Sequence, residues 1–232
     1  MSGTLTTPAL AALARLLAYP TDDLRADLPA IEATLAADPA VRARAPGPLL
    51  RLIDELRGGD LYDLQERYVG LFDRTRSLSL NMFEHVHGES RDRGQAMIDL
   101  AKVYERVGLE IASHELPDYV PLFLEFLATR PLAEARGFVA DAASVLSALE
   151  SRLAERGSSY AAVFAAVRAI AEAPIESAAP EPAEPDDLAA LDAAWEEEAV
   201  RFGPDAATEA CAVDRLRTRM RAERWAARAF NA

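Results

Sequence analysis

Two histidines one residue apart, His85 and His87, sit in a dense polar run: Phe83-Glu84-His85-Val86-His87-Gly88-Glu89-Ser90-Arg91-Asp92-Arg93. Imidazoles and carboxylates this close together are the raw material of a metal centre. A helical metal pair wants i,i+4 spacing, as in H-E-x-x-H, so that both rings face one way. The i,i+2 spacing found here shares a face only on a strand. A metal-dependent helical hydrolase built on Glu84, His85, His87 and Glu89 would need further rings, and His114 is the remaining histidine. The competing reading is a pair of hydrogen-bonded histidines that fix a helix end. Glu84, Glu89 and Asp92 could also serve as general acids or bases. The sequence carries no G-x-S-x-G or Cys-His nucleophile signature, and neither a P-loop nor G-x-G-x-x-G. Ion pairing with Arg74, Arg76, Arg91 and Arg93 is the simpler role for these acids.

The elements that must position this run read as helices throughout. Thr7-Pro8 opens a first helix with Leu10, Leu13, Leu16 and Leu17 on one face, and Pro20 stops it. Asp22 is placed to cap a second, carrying Leu24, Leu28, Ile31 and Leu35. Asp38-Pro39 starts a short helix, and Pro48 to Arg57 a stronger one that ends at Gly58-Gly59. Asp60 caps a helix with Leu61, Leu64, Tyr68, Leu71 and Phe72 at helical spacing. Residues 73–79 are a polar break. A short helix over Leu80 to His87 and a long one over Ser90 to Val107 follow, then a loop over 109–117. Asp118 is placed to cap YVPLFLEFLA, which is apolar nearly all round and so belongs at the centre of the core. Pro131 to Arg156 and Tyr160 to Ala173 complete the set.

The texture changes at Pro174. Pro174, Pro180, Pro182 and Pro185 mark a Pro- and acid-rich linker. Beyond it, two stretches, about 187–199 and 209–230, are expected to form a partly helical C-terminal tail. The second is arginine-rich and also carries Val213, Leu216, Met220 and Trp225, which suits docking on an acidic surface. The expected fold class is all-α: a single helical-bundle domain over 1–173, with linker and tail over 174–232.

The chain has 232 residues and a formal charge of −13, a composition that disfavours nucleic acid and anionic membrane as partners. Cys211 is the sole cysteine, which excludes an intrachain disulfide and a multi-cysteine zinc site. The N-terminus lacks the basic start of a signal peptide, and no uncharged apolar run is long enough to span a membrane. The expected compartment is the cytoplasm.

The block YVGLFDRTRSLSLNMFEHVHGESRDRGQAMIDL, from Tyr68 to Leu100, resembles the nitrate reductase molybdenum cofactor assembly chaperones of the NarJ type. The likeness continues through Glu115-Leu116-Pro117-Asp118-Tyr119 and VPLFLEFL, and reaches Trp195-Glu196-Glu197-Glu198 and Phe202-Gly203. It is dense over 61–130 and looser elsewhere. The related TorD and DmsD maturation chaperones share a Y-x-x-L-F element, matched by Tyr68, Leu71 and Phe72. They also share Glu-x-Pro-Asp-His, matched by Glu115, Pro117 and Asp118, with Tyr119 in place of the histidine. The resemblance implies a chaperone without enzymatic activity. Its implied partner is the apo catalytic (alpha) subunit of a respiratory nitrate reductase, held by its N-terminal segment and kept competent for cofactor insertion. It implies no stably bound cofactor, the molybdenum cofactor being handled through the partner, and a monomer or weak homodimer. The face expected to receive the segment comprises Tyr68, Phe72, Phe83, Glu84, His85, Asp118 and Tyr119, aromatic anchors mixed with acids. His87, Glu89, Arg91 and Asp92 are expected to support it as a polar network. A non-catalytic helical scaffold is the remaining alternative.

Overall fold

The structure is a computed structural model; it describes residues 6–44, 46–87, 91–111 and 115–172. Within these it contains eleven α-helices and no strand. They are α1 (Pro8–Leu16), α2 (Asp22–Ala37), α3 (Pro39–Arg44), α4 (Pro46–Gly58), α5 (Leu61–Tyr68), α6 (Glu84–His87), α7 (Arg91–Arg106), α8 (Val120–Ala128), α9 (Leu132–Asp141), α10 (Ala143–Glu155) and α11 (Ala161–Ala171). The expected linker and tail, over 174–232, lie outside the described residues.

Local chemistry explains where several helices begin. Thr21, not Asp22, caps α2: its side chain accepts from the Leu24 N–H at 3.2 Å, and Asp22 and Asp23 sit in the first turn, where the helix dipole favours acids. Asp38 caps α3 by accepting from the Ala40 and Val41 N–H groups at 2.9 and 3.1 Å. Asp60 does the same for α5 through Tyr62 and Asp63. At Gly59 a Cβ would stand 2.9 Å from the Glu55 carbonyl oxygen, so the α4–α5 corner requires glycine.

α8 is central, as its all-round apolar sequence requires: Val120, Phe123, Leu124, Phe126 and Leu127 are buried. α1 packs along it, and the Thr6 and Thr7 N–H groups donate to the Ala128 carbonyl, closing the chain start over the end of α8. α11 lies among α3, α9 and α10. The single helix expected over Pro131 to Arg156 is divided at Ala142 (φ −95°, ψ 5°). No breaker stands there. Packing divides it, because α9 lies on α8 and α11 whereas α10 lies on α11 and the turn at Arg76–Leu78.

Two departures shape the region of the polar run. The helix expected to carry Tyr68, Leu71 and Phe72 is α-helical only as far as Tyr68 and becomes one π-helical turn over Val69–Asp73, in which the Arg74 N–H reaches the Val69 carbonyl at 3.0 Å. Such turns recur at functional sites. The expected helix from Leu80 shrinks to α6, because Leu80 to Met82 run extended against 118–120. Val120 N–H donates to the Leu80 carbonyl at 2.8 Å and Met82 N–H to that of Asp118 at 3.0 Å, around an antiparallel bridge between Asn81 and Tyr119.

Candidate functional site

That bridge brings together the two stretches that matter, residues 68–93 and 115–119, which are far apart in sequence. Asp118 does not cap α8; the residue at the cap position is Tyr119, which makes no side-chain capping bond. The Asp118 carboxylate instead accepts from the Phe83 N–H at 2.9 Å. Both residues are buried, at 0% and 1% exposure. Burial pushes the Asp118 carboxyl up. The Phe83 N–H and the Arg93 charge oppose that, and Glu84 adds to it.

Tyr68 and Phe72 are one helical turn apart and also buried. The Tyr68 hydroxyl donates to the Leu17 carbonyl at 2.8 Å, and the Tyr119 hydroxyl stands 3.2 Å from it. A phenol has one proton, so with Leu17 taking that of Tyr68, Tyr119 is the donor in the second bond. Burial, with Tyr119 beside it, pushes the Tyr68 hydroxyl far above the ordinary phenol range. Its ring meets Tyr19 edge-on at 5.4 Å and Phe72 at 4.9 Å, and Phe72 in turn meets Tyr160 at 5.2 Å. This aromatic stack ties the ends of α1, α5 and α11 together.

Glu84, His85 and Tyr119 are half-buried and reach the surface. Burial alone would raise the Glu84 carboxyl, but a hydrogen bond from Ser79 and the Arg93 guanidinium, 2.9 Å away, outweigh it and hold the group below its ordinary range. His85 Nε2 lies 2.7 Å from the Ser79 carbonyl. A carbonyl only accepts, so that nitrogen carries the proton and the ring is tied to the main chain. Ser79 thus holds both side chains, and the Asn81 N–H donates to its hydroxyl at 3.2 Å. Beside them opens a polar cleft of about 440 Å³ lined by Phe72, Asp73, Arg74, Arg76, Ser79, Asn81, Glu84 and Arg93.

The seven residues expected to form one face therefore divide by depth. Glu84, His85 and Tyr119 present surface. Tyr68, Phe72, Phe83 and Asp118 are buried, each at most 5% exposed, and of these Tyr68 bonds the Tyr119 hydroxyl. The seven are thus not one exposed face, although Phe72 also lines the cleft. Of the expected polar network, His87 ends α6 and Arg91 and Asp92 begin α7, while Glu89 lies outside the described residues, as does His114 of the metal reading. Among the described residues no group of three or more His, Cys, Asp or Glu side chains is placed to hold a metal ion. Sequence reading missed Ser79 and Tyr19. Neither has a local signal, because each acts through a partner it meets only in the fold.

What this arrangement defines is a charged cleft beside a buried cluster of aromatic rings in an all-helical fold. The fold matches a crystal structure of a candidate redox enzyme maturation protein from Archaeoglobus fulgidus with a TM-score of 0.52, at 21% identity, covering 74% of this chain and 96% of that one. The chain belongs to the family described as nitrate reductase delta subunit, which its residues 21–166 match. It is 44% identical over 204 residues to the nitrate reductase molybdenum cofactor assembly chaperone NarJ of Escherichia coli K12, spanning 84% of this chain and 85% of that protein. It is 43% identical over 171 residues to NarW of the same strain, covering 71% and 74% respectively.

Proposed function

We propose that this chain is a dedicated assembly chaperone for a respiratory nitrate reductase. It binds the apo catalytic subunit through that subunit's N-terminal segment, keeps it open for molybdenum cofactor insertion, and leaves before the mature enzyme forms. The observation that carries this is the 44% identity to the Escherichia coli chaperone along nearly the whole of both chains. It has no catalytic activity of its own and handles the cofactor only through its partner. It works in the cytoplasm as a monomer or weak homodimer. No described helix is long and apolar enough to cross a membrane.

The geometry supports a binding role. The polar surface over Glu84, His85 and Tyr119 rests on buried supports, so its shape is set before a partner arrives, which limits the ordering cost of association. A carboxylate held ionised at Glu84 and a chain charge of −13 favour a basic segment. The test is co-purification of the chain with the cognate catalytic subunit expressed without cofactor. A complex is expected with the apo subunit and not with the mature enzyme. Reductase made without this chain should contain less molybdenum. Equal molybdenum content with and without the chain, and no complex, would refute the reading.

A further inference from the structure

The polar break at 73–79 carries two arginines, Arg74 and Arg76, that pair with no acid among the described residues, whereas Glu84 pairs with Arg93 at 2.9 Å. Both are exposed and both line the polar cleft of about 440 Å³. Their placement is built into the turn. Thr75, between them, is extended (φ −107°, ψ 103°) and buried, and its hydroxyl donates to the Gly70 carbonyl at 3.0 Å. Successive side chains on extended backbone point to opposite faces, so anchoring Thr75 inward turns Arg74 and Arg76 outward together. The turn that follows is held from α10, where the Arg152 guanidinium donates to the Ser77 carbonyl at 2.8 Å. We propose that this cleft binds the phosphate group of a small phosphorylated molecule. The proposal stands apart from the chaperone reading and does not depend on it.

Charge, donors and size favour such a ligand. Glu84 and Arg93 offset each other, and Arg74 and Arg76 against Asp73 leave the cleft net positive in a chain of charge −13. A guanidinium presents a planar fork of donors that matches phosphate oxygens. Two forks on one braced turn lose little freedom when an anion arrives. Asn81 adds a side-chain amide to the lining. Arg93 gives one nitrogen to Glu84, while its Nε–H is buried without an acceptor among the described residues. An anion beside that guanidinium lowers the cost of the unpaired donor. A phosphate monoester carries nearly two charges at neutral pH and three terminal oxygens, enough to meet both forks, whereas a carboxylate has one charge and two oxygens. The volume is in the range of small-molecule sites and several times that of a phosphate, so the cleft has room for the group that the phosphate esterifies, with Phe72 at its edge.

The probe is phenyl phosphate, titrated calorimetrically into the full chain at fixed ionic strength, with inorganic phosphate and benzoate as comparisons. Phenyl phosphate is expected to saturate one site. Arg74→Gln and Arg76→Gln are each expected to weaken it ~10-fold. Arg51→Gln, at an exposed arginine of α4 that does not line the cleft, should leave it unchanged. All three side chains are exposed, so the fold should survive, and thermal melts check that it does. Inorganic phosphate should bind more weakly, since it leaves most of the cleft unfilled, and benzoate ~10-fold more weakly than phenyl phosphate. Absence of saturable phenyl phosphate binding overturns the proposal. Folded Arg74→Gln and Arg76→Gln proteins that bind like the wild type place the anion elsewhere and overturn it too. Equal weakening by all three variants marks net charge alone, and benzoate binding as tight as phenyl phosphate marks a carboxylate site; either result refutes it. Inorganic phosphate binding as tightly as the ester overturns the assignment to a phosphorylated molecule.

Discussion

Replacing Asp118 separates a supporting role from a contact role. The Phe83 N–H donates to this carboxylate at 2.9 Å, and both residues are buried. In Asp118→Ala the N–H loses its acceptor where water cannot replace it, which costs about 1–3 kcal/mol. Relief of a buried carboxylate offsets part of that, so the net loss belongs in the lower half of the range. For a chain of this size each kcal/mol moves Tm by about 2–4 °C. Asp118→Asn keeps an acceptor and removes the charge, so its loss should stay below about 1 kcal/mol. Neither variant should weaken the partner peptide by more than ~3-fold, because a residue at 0% exposure makes no contact with it and the backbone bridge remains. Thermal melts and calorimetry on both variants check this. If Asp118→Ala melts with the wild type yet binds ~10-fold more weakly, a change of ~1.4 kcal/mol, Asp118 is a contact residue and the division by depth is wrong.

Further outcomes follow from the same geometry. Glu84 has a folded pKa below its ordinary 4.5, so its contribution is fully present above that pH and is lost as pH falls through the lower, folded value. Melts of Glu84→Gln should therefore lie below wild type at neutral pH and converge with it in acid. Asp118 is shifted the other way from 3.8. Stability is lost as pH rises from there through the raised folded value, so Asp118→Asn should gain on the wild type over that interval in the same melts. Tyr68→Phe removes the bonds to Leu17 and Tyr119 and should cost about 0.5–1.5 kcal/mol for each in urea unfolding. Gly59→Ala forces a methyl against the Glu55 carbonyl and should destabilise by about 1–3 kcal/mol in the same assay.

The sequence alone determined the class of fold and the position of many helices. Leucines at helical spacing, Asp38 and Asp60 as caps, Gly58-Gly59 as a stop and the all-round apolar 119–128 are local signals, and local geometry answers to them. The family was legible too, because the block from Tyr68 to Leu100 is long and compositionally unusual. What the tertiary structure decided is which of those residues meet and which reach water. Asp118 reads as a cap in sequence, because an acid before an apolar helix usually is one; in the fold the nearest buried donor is the Phe83 N–H, and that takes the carboxylate. Tyr68 and Phe72 read equally well as surface anchors or as core, since spacing shows only that they share a helix face. The stack with Tyr19 and Tyr160 puts that face inward. Ala142 carries no breaker, yet the helix divides there, because the bundle gives its two halves different neighbours. Each of these turns on a contact between segments distant along the chain, and periodicity within one segment carries no information about the partner it will find.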